Sequence, residues 1–120
     1  MPHLIVEYTD NLANFPELQV LTALNTAVIA SGQVHAETDL KSRIVRTTQF
    51  AIGTDSTAPR GFVHAELRLL AGRTPEMKRD LSDRIGAVLR KHTPKPDGML
   101  VQLSVDIVDM DKASYFKAAL

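Results

Sequence analysis

The chain begins Met1-Pro2-His3-Leu4-Ile5-Val6-Glu7, and a proline directly behind the first methionine admits two readings. As a structural residue, proline is tolerated at the first position of a strand, where no ladder hydrogen bond is lost. If Met1 is removed, the Pro2 ring nitrogen becomes instead a free secondary amine, a base usable near neutral pH. A retained Met1 makes that nitrogen a tertiary amide with no basicity. The other groups with chemical potential are cations. Gly72-Arg73-Thr74 stands at a helix start, where free backbone N–H groups and the positive end of the helix dipole favour a carboxylate. Arg73 could hold the same anion through two parallel hydrogen bonds. The plainer alternative is that Thr74 caps the helix and Arg73 is solvated. Lys41-Ser42-Arg43 supplies two further cations.

Composition removes many other chemistries. The 120 residues suit one domain, with 44% apolar and 23% charged residues as in ordinary globular chains. Formal charge is zero and aromatic residues are 5%, which argues against a nucleic-acid binder with its basic patch and stacking rings. There is no cysteine, hence no disulfide, zinc-thiolate site or thiol nucleophile. His3, His35, His64 and His92 lack zinc-type spacing. His64 and Glu66 share a strand face, where an interface pair is a better reading than a metal pair. No nucleophile elbow, phosphate-binding glycine loop or dinucleotide fingerprint occurs. Asp106, Asp109 and Asp111 lack the glycine and closing glutamate of a calcium loop. Glu7 and Asp10 interrupt the first apolar run, so no secretory leader is expected. No stretch approaches the ~20 apolar residues of a membrane span. A cytoplasmic protein without membrane or nucleic-acid partners is the expectation.

The elements that must position these residues read as two similar halves, about 1–55 and 60–110. Leu4, Val6 and Tyr8 alternate with His3, Ile5 and Glu7, a strand pattern. Asn14 as N-cap and Pro16 in the first turn predict a helix with a stripe of Leu18, Leu21, Leu24 and Val28, stopped at Gly32. Ser42 to Phe50 reads as a second strand, followed by a loop from Gly53 to Pro59. In the second half, Gly61 to Leu70 alternates strongly. Thr74 and Pro75 then open a helix striped by Met77, Leu81, Ile85 and Val88, with Arg79–Asp83 and Asp80–Arg84 pairs on its solvent side. Pro94 and Pro96 end it, and Met99 to Val108 is the last strand. Asp111 to Leu120 closes the chain with at most a helical turn or two.

Two βαβ units predict an α+β fold: one four-stranded mixed sheet with both helices on one face. The opposite face mixes Glu7, His64, Glu66, Arg68 and Asp106 with Ile5 and Phe62. It is too polar for a dry core and too apolar to lie wholly in water, which suggests a symmetric homo-oligomer. If the halves join antiparallel through their first strands, Pro2 lies beside the end of the Gly61–Leu70 strand, next to Arg73. A right-handed crossover brings Lys41-Ser42-Arg43 to the same edge. One sheet edge would then gather an amine, several cations and a helix start.

These residues resemble a family. Pro2-His3-Leu4-Ile5-Val6-Glu7 with Asp10-Asn11, then Lys41-Ser42-Arg43, Gly61-Phe62-Val63-His64 and Ala71-Gly72-Arg73-Thr74 are similar, in this order, to 5-carboxymethyl-2-hydroxymuconate isomerases of the tautomerase superfamily. The resemblance runs with gaps across essentially the whole chain. It implies a homotrimer of β-α-β-β-α-β subunits, no metal and no organic cofactor, removal of Met1, and Pro2 as catalytic base. The implied reaction converts the dienol 5-carboxymethyl-2-hydroxymuconate, a small unsaturated polycarboxylate, to its conjugated keto isomer in homoprotocatechuate breakdown. The family's arginines hold substrate carboxylates and polarise the oxygen where charge develops. Arg73 matches directly. The family's Arg-Ser-Arg is Lys41-Ser42-Arg43 here, so Lys41 keeps the charge but loses the planar fork, and Arg43 is the alternative for that role. The loop Ala51 to Arg60 departs from the family pattern.

The implied chemistry suits these groups. Moving a proton within a conjugated enol needs a base whose conjugate acid titrates near ambient pH. A primary α-amine titrates at ~8, and proline's secondary amine is more basic, so its site must depress it through desolvation and neighbouring cations. Phe50, Tyr115 and Phe116 could wall a substrate pocket across a subunit boundary, though core or interface packing is the better reading of them. Two rivals stand beside the isomerase. One is a decarboxylase or dehalogenase of another unsaturated acid using the same amine. The other is a non-catalytic oligomeric binding protein in which Pro2 merely begins a strand.

Overall fold

Alternation and turn chemistry build a single mixed sheet, described for residues 1–120 by a computed structural model. Strands β1 (His3–Thr9), β2 (Lys41–Thr47), β3 (Arg60–Leu70) and β4 (Leu100–Met110) are interleaved with helices α1 (Glu17–Ala30) and α2 (Pro75–His92). The strand order is β2-β1-β3-β4. Strand β1 runs parallel to β2 and antiparallel to β3, and β3 runs parallel to β4. The expected joining of the two halves through their first strands is thus the observed one. Both βαβ crossovers lay their helices on one face, as the α+β reading requires.

The core forms where the apolar sides of strands and helices meet. Leu4, Val6 and Tyr8 of β1 and Val63, Ala65, Leu67 and Leu69 of β3 are buried against Val20, Leu24 and Val28 of α1 and Leu81, Ile85 and Leu89 of α2. Val101, Leu103, Val105 and Ile107 pack on this cluster but stay partly exposed, because β4 is an edge strand. No helix is long and apolar enough to cross a membrane.

Several local expectations are corrected. Leu18 is 77% exposed and Val20 takes its place in the core. At about 100° per residue, Leu18 lies some 240° around the helix from Leu24, whereas Val20, Leu24 and Val28 stack at intervals of four. In α2 Leu89 joins Leu81 and Ile85 as fully buried, with Val88 only partly covered and Met77 exposed. Asn14 is not the N-cap: it adopts φ 58°, a left-handed conformation asparagine tolerates in turns, and α1 starts after Pro16 without a side-chain cap. Of the two expected ion pairs on α2, Arg84–Asp80 forms at 2.8 Å and Arg79–Asp83 does not. Strand β2 ends at Thr47 rather than Phe50, since Thr47 faces Thr9, the last rung of β1. Residues 111–120 form a single turn organised by the Asp111 carboxylate, which accepts from Ala113 N at 3.2 Å and Ser114 Oγ at 2.8 Å.

Opposite the helices the sheet is open. Register places Lys41, His3 and Arg68 in one row, Arg43, Ile5, Glu66 and Asp106 in the next, and Val45, Glu7, His64 and Ser104 in a third. Neighbours on this face interact directly: Arg68 lies 3.6 Å from Glu66, two residues away along β3, and His64 Nδ1 is 2.7 Å from Ser104 Oγ across to β4.

Candidate active site

Pro2 is buried immediately before β1, and its carbonyl accepts from Lys41 N at 3.1 Å. This bond continues the parallel β1–β2 ladder by one step, so crossover topology brings Lys41 to the amine. The Lys41 ammonium donates to the Asp39 carbonyl at 2.6 Å.

Arg73 reaches the same edge through the β3–α2 loop. Gly72 bends that loop at φ 131°, a conformation L-residues rarely adopt. The Thr74 hydroxyl caps α2 by accepting from Met77 N at 3.2 Å. Arg73 donates from Nη1 to the Leu70 carbonyl at 3.0 Å and from Nη2 to the Gln33 carbonyl at 2.6 Å. It is therefore neither simply solvated nor a wholly free fork. Two of its donors lock the loop after α1 to the loop before α2, and a guanidinium retains donors for an anion.

The electrostatic result is a weakly basic amine. In the chain as it stands the amine belongs to Met1, and its pKa falls below the ordinary 8.0. Desolvation is the main cause, helped by Lys41, Lys117 and Arg73, and opposed by Asp39. Each of these acts on the same edge if the amine moves one residue inward to Pro2.

Arg43 and Phe50 are placed differently. Register sets Arg43 beside Ile5, on the face of His3, and its Nη1 lies 3.2 Å from His3 Nδ1. The His3 ring is also 2.7 Å from the Tyr115 hydroxyl through Nε2. Desolvation and then Arg43 lower the His3 pKa, so the ring is disposed to be neutral. Arg43, His3, Arg68 and Tyr115 border a cleft of about 420 Å³ on the open face; Pro2 is not among its walls. Phe50 meets Phe62 edge-on at 6.4 Å, beside the β3 residues that face Tyr8. That is the far end of β1 from Pro2, about 20 Å for seven extended residues. Within one chain, then, Lys41 and Arg73 join the amine, Arg43 joins His3, and Phe50 joins neither. No group of three or more His, Cys, Asp or Glu residues could hold a metal ion.

Sequence reasoning missed Asp39 and Lys117. Lys117 Nζ lies 3.1 Å from Asp39 Oδ1, folding the C-terminal segment onto the edge that carries the amine. No local pattern announces this contact, because the two residues are 78 positions apart.

Comparison with known proteins gives the family and the fold. A family model for 5-carboxymethyl-2-hydroxymuconate isomerase matches residues 2–119. The 5-carboxymethyl-2-hydroxymuconate Delta-isomerase of Escherichia coli is 28% identical over 120 residues, covering 98% of this chain and 93% of that protein. The crystal structure of a 5-carboxymethyl-2-hydroxymuconate isomerase from Deinococcus radiodurans R1 superposes with a TM-score of 0.90 at 31% identity, covering 99% of this chain and 90% of the other. A fused 4-OT solved as a symmetric trimer shares the fold, with a TM-score of 0.72 at 19% identity over 97% of this chain and 91% of its own.

Proposed function

The chain belongs to the 5-carboxymethyl-2-hydroxymuconate isomerase family, and we propose that it isomerises 5-carboxymethyl-2-hydroxymuconate with the Pro2 amine as base. The observation that carries this reading is the amine edge itself, where buried Pro2 lies beside Lys41 and where desolvation, Lys41 and Arg73 depress the proton affinity of the adjoining Met1 amine. A neutral amine can take the proton from the enol oxygen and return one to a carbon of the conjugated chain. Atoms balance within the substrate, and the step calls on no metal or organic cofactor. Arg73 and Lys41 hold carboxylates and stabilise the enolate-like charge as it develops. The reading includes processing of Met1, a cytoplasmic role in homoprotocatechuate breakdown, and a homotrimer of single-domain subunits. In a trimer, Phe50 could reach the Pro2 site only from a neighbouring subunit.

The test is ultraviolet-monitored turnover of the muconate, together with mass spectrometry of the protein from its own cells. Turnover by a chain beginning at Pro2 is expected. Pro2→Ala should lower kcat about 100-fold or more, within the range of a lost general base, with alanine's primary amine keeping a remnant. Full activity with Met1 retained would overturn the base assignment. Turnover of a different unsaturated acid, with none of the muconate, would overturn the substrate.

A further inference from the structure

The C-terminal segment touches both flanks of Pro2. Tyr115 lies 2.7 Å from His3, one residue after the proline, and its ring meets the imidazole edge-on at 6.0 Å. Two residues later, Lys117 Nζ donates to Asp39 Oδ1 at 3.1 Å, in the 3₁₀ turn Glu37–Asp39 that leads to Lys41. Resting on the isomerase reading, we propose that Lys117 is a third substrate-binding cation of the Pro2 site, and that Asp39 occupies its ammonium until a substrate carboxylate replaces it.

The argument is one of charge and availability. The muconate carries three carboxylates, while the other cations that act on the amine are Lys41 and Arg73. Arg73 has two donors committed to backbone carbonyls, and the Lys41 ammonium has one. Lys117 meets only a solvent-accessible carboxylate: the side chains of Lys117 and Asp39 are 48% and 22% exposed. An ion pair of that kind contributes only about 0.2–1 kcal/mol, so a substrate anion can displace it. A flexible stem with three rotatable donors suits such an exchange. The ammonium already lies close enough to help lower the affinity of the amine for protons.

A purely structural role, with the ion pair doing no more than docking the tail, makes the opposite prediction for Asp39. The experiment is steady-state turnover of 5-carboxymethyl-2-hydroxymuconate by wild type, Lys117→Gln, Lys117→Arg and Asp39→Asn, with KM and kcat read separately at a pH above the amine's titration. Lys117→Gln should raise KM about tenfold with kcat within about twofold, the pattern of lost uniform binding. Lys117→Arg should restore KM to within about threefold of wild type. Asp39→Asn, which breaks the same ion pair but frees the ammonium, should not raise KM. A rise in KM of less than about threefold in Lys117→Gln overturns the proposal, as does a parallel rise in Asp39→Asn. Wild-type protein that fails to turn over the muconate overturns the functional reading itself, and this proposal with it. The two failures are therefore distinct.

Discussion

At the N-terminal edge the governing quantity is how weakly the amine binds a proton. Desolvation and the Lys41, Lys117 and Arg73 cations all act against protonation of the Met1 amine, and Asp39 acts for it. On the proposal that processed Pro2 is the base, its free amine is the working form, so kcat/KM should rise with pH through a midpoint below that of an exposed proline amine. Replacing Lys41 with Met removes a neighbouring positive charge, so the rising limb should move to higher pH; an unmoved limb would separate Lys41 from the base. Arg73 has a double role. Its two carbonyl bonds join the loops after α1 and β3, and its charge faces the amine. Arg73→Ala should raise KM and lower kcat, with kcat/KM down about 10- to 100-fold, the equivalent of one or two charge-assisted hydrogen bonds. Thermal stability should fall as well. Kinetics equal to wild type would remove Arg73 from the site, whatever happens to the melting temperature.

Among the elements, β1 has the most at stake, because it carries Pro2 at one end and is held between β2 and β3 along its length. A side-chain tie also binds it to α1: the buried Tyr8 hydroxyl donates to Glu17 Oε1. Burial and that carboxylate push the Tyr8 pKa from 10.0 up to about 12. Folding thus favours the protonated phenol. The associated stability is fully present below pH 10.0 and is lost as pH rises toward about 12. Denaturant titrations across that window should show wild type losing stability steeply and Tyr8→Phe much less so. Equal slopes would mean that Tyr8 ionises as freely in the fold as in the unfolded chain. The element periods were largely legible in the sequence. Strict alternation in β1 and β3 placed Leu4, Val6, Val63 and Leu67 in the core. Helix phase was less legible: Leu18 and Val20 are both apolar, and only the direction in which α1 meets the sheet and α2 decides between them.

For the whole molecule, the open sheet face is the main structural demand. Ile5, Phe62 and Val45 lie among Arg43, Glu66, His64 and Asp106 on a surface the helices do not cover. A symmetric trimer would bury its apolar part while pairing its charges. Sedimentation at micromolar concentration should give three times the 13.2 kDa chain mass. Ile5→Asp should reduce that mass to a monomer's with the far-ultraviolet dichroism preserved, since the side chain lies outside the core. A wild-type monomer at the same concentration would refute the assembly. The location of Phe50 gives this experiment a catalytic meaning: it can serve a Pro2 site only across a subunit boundary, so a monomer should also lose turnover if Phe50 walls the site.

Local chemistry determined much about this protein. Period-two runs, the Thr74-Pro75 helix start, the turn at Gly32 and the position of Pro2 are short-range features, each decided by a few neighbouring residues. From them followed two βαβ halves, a mixed sheet with helices on one side, and an edge joining Pro2 to Lys41 and Arg73. Tertiary structure alone decided which groups share that edge at contact distance. It set Arg43 against His3, sent Phe50 to the opposite end of β1, committed Arg73 to two carbonyls, and laid Lys117 on Asp39. Register and chain return fix these contacts between residues far apart in sequence, and no window of neighbouring residues contains them.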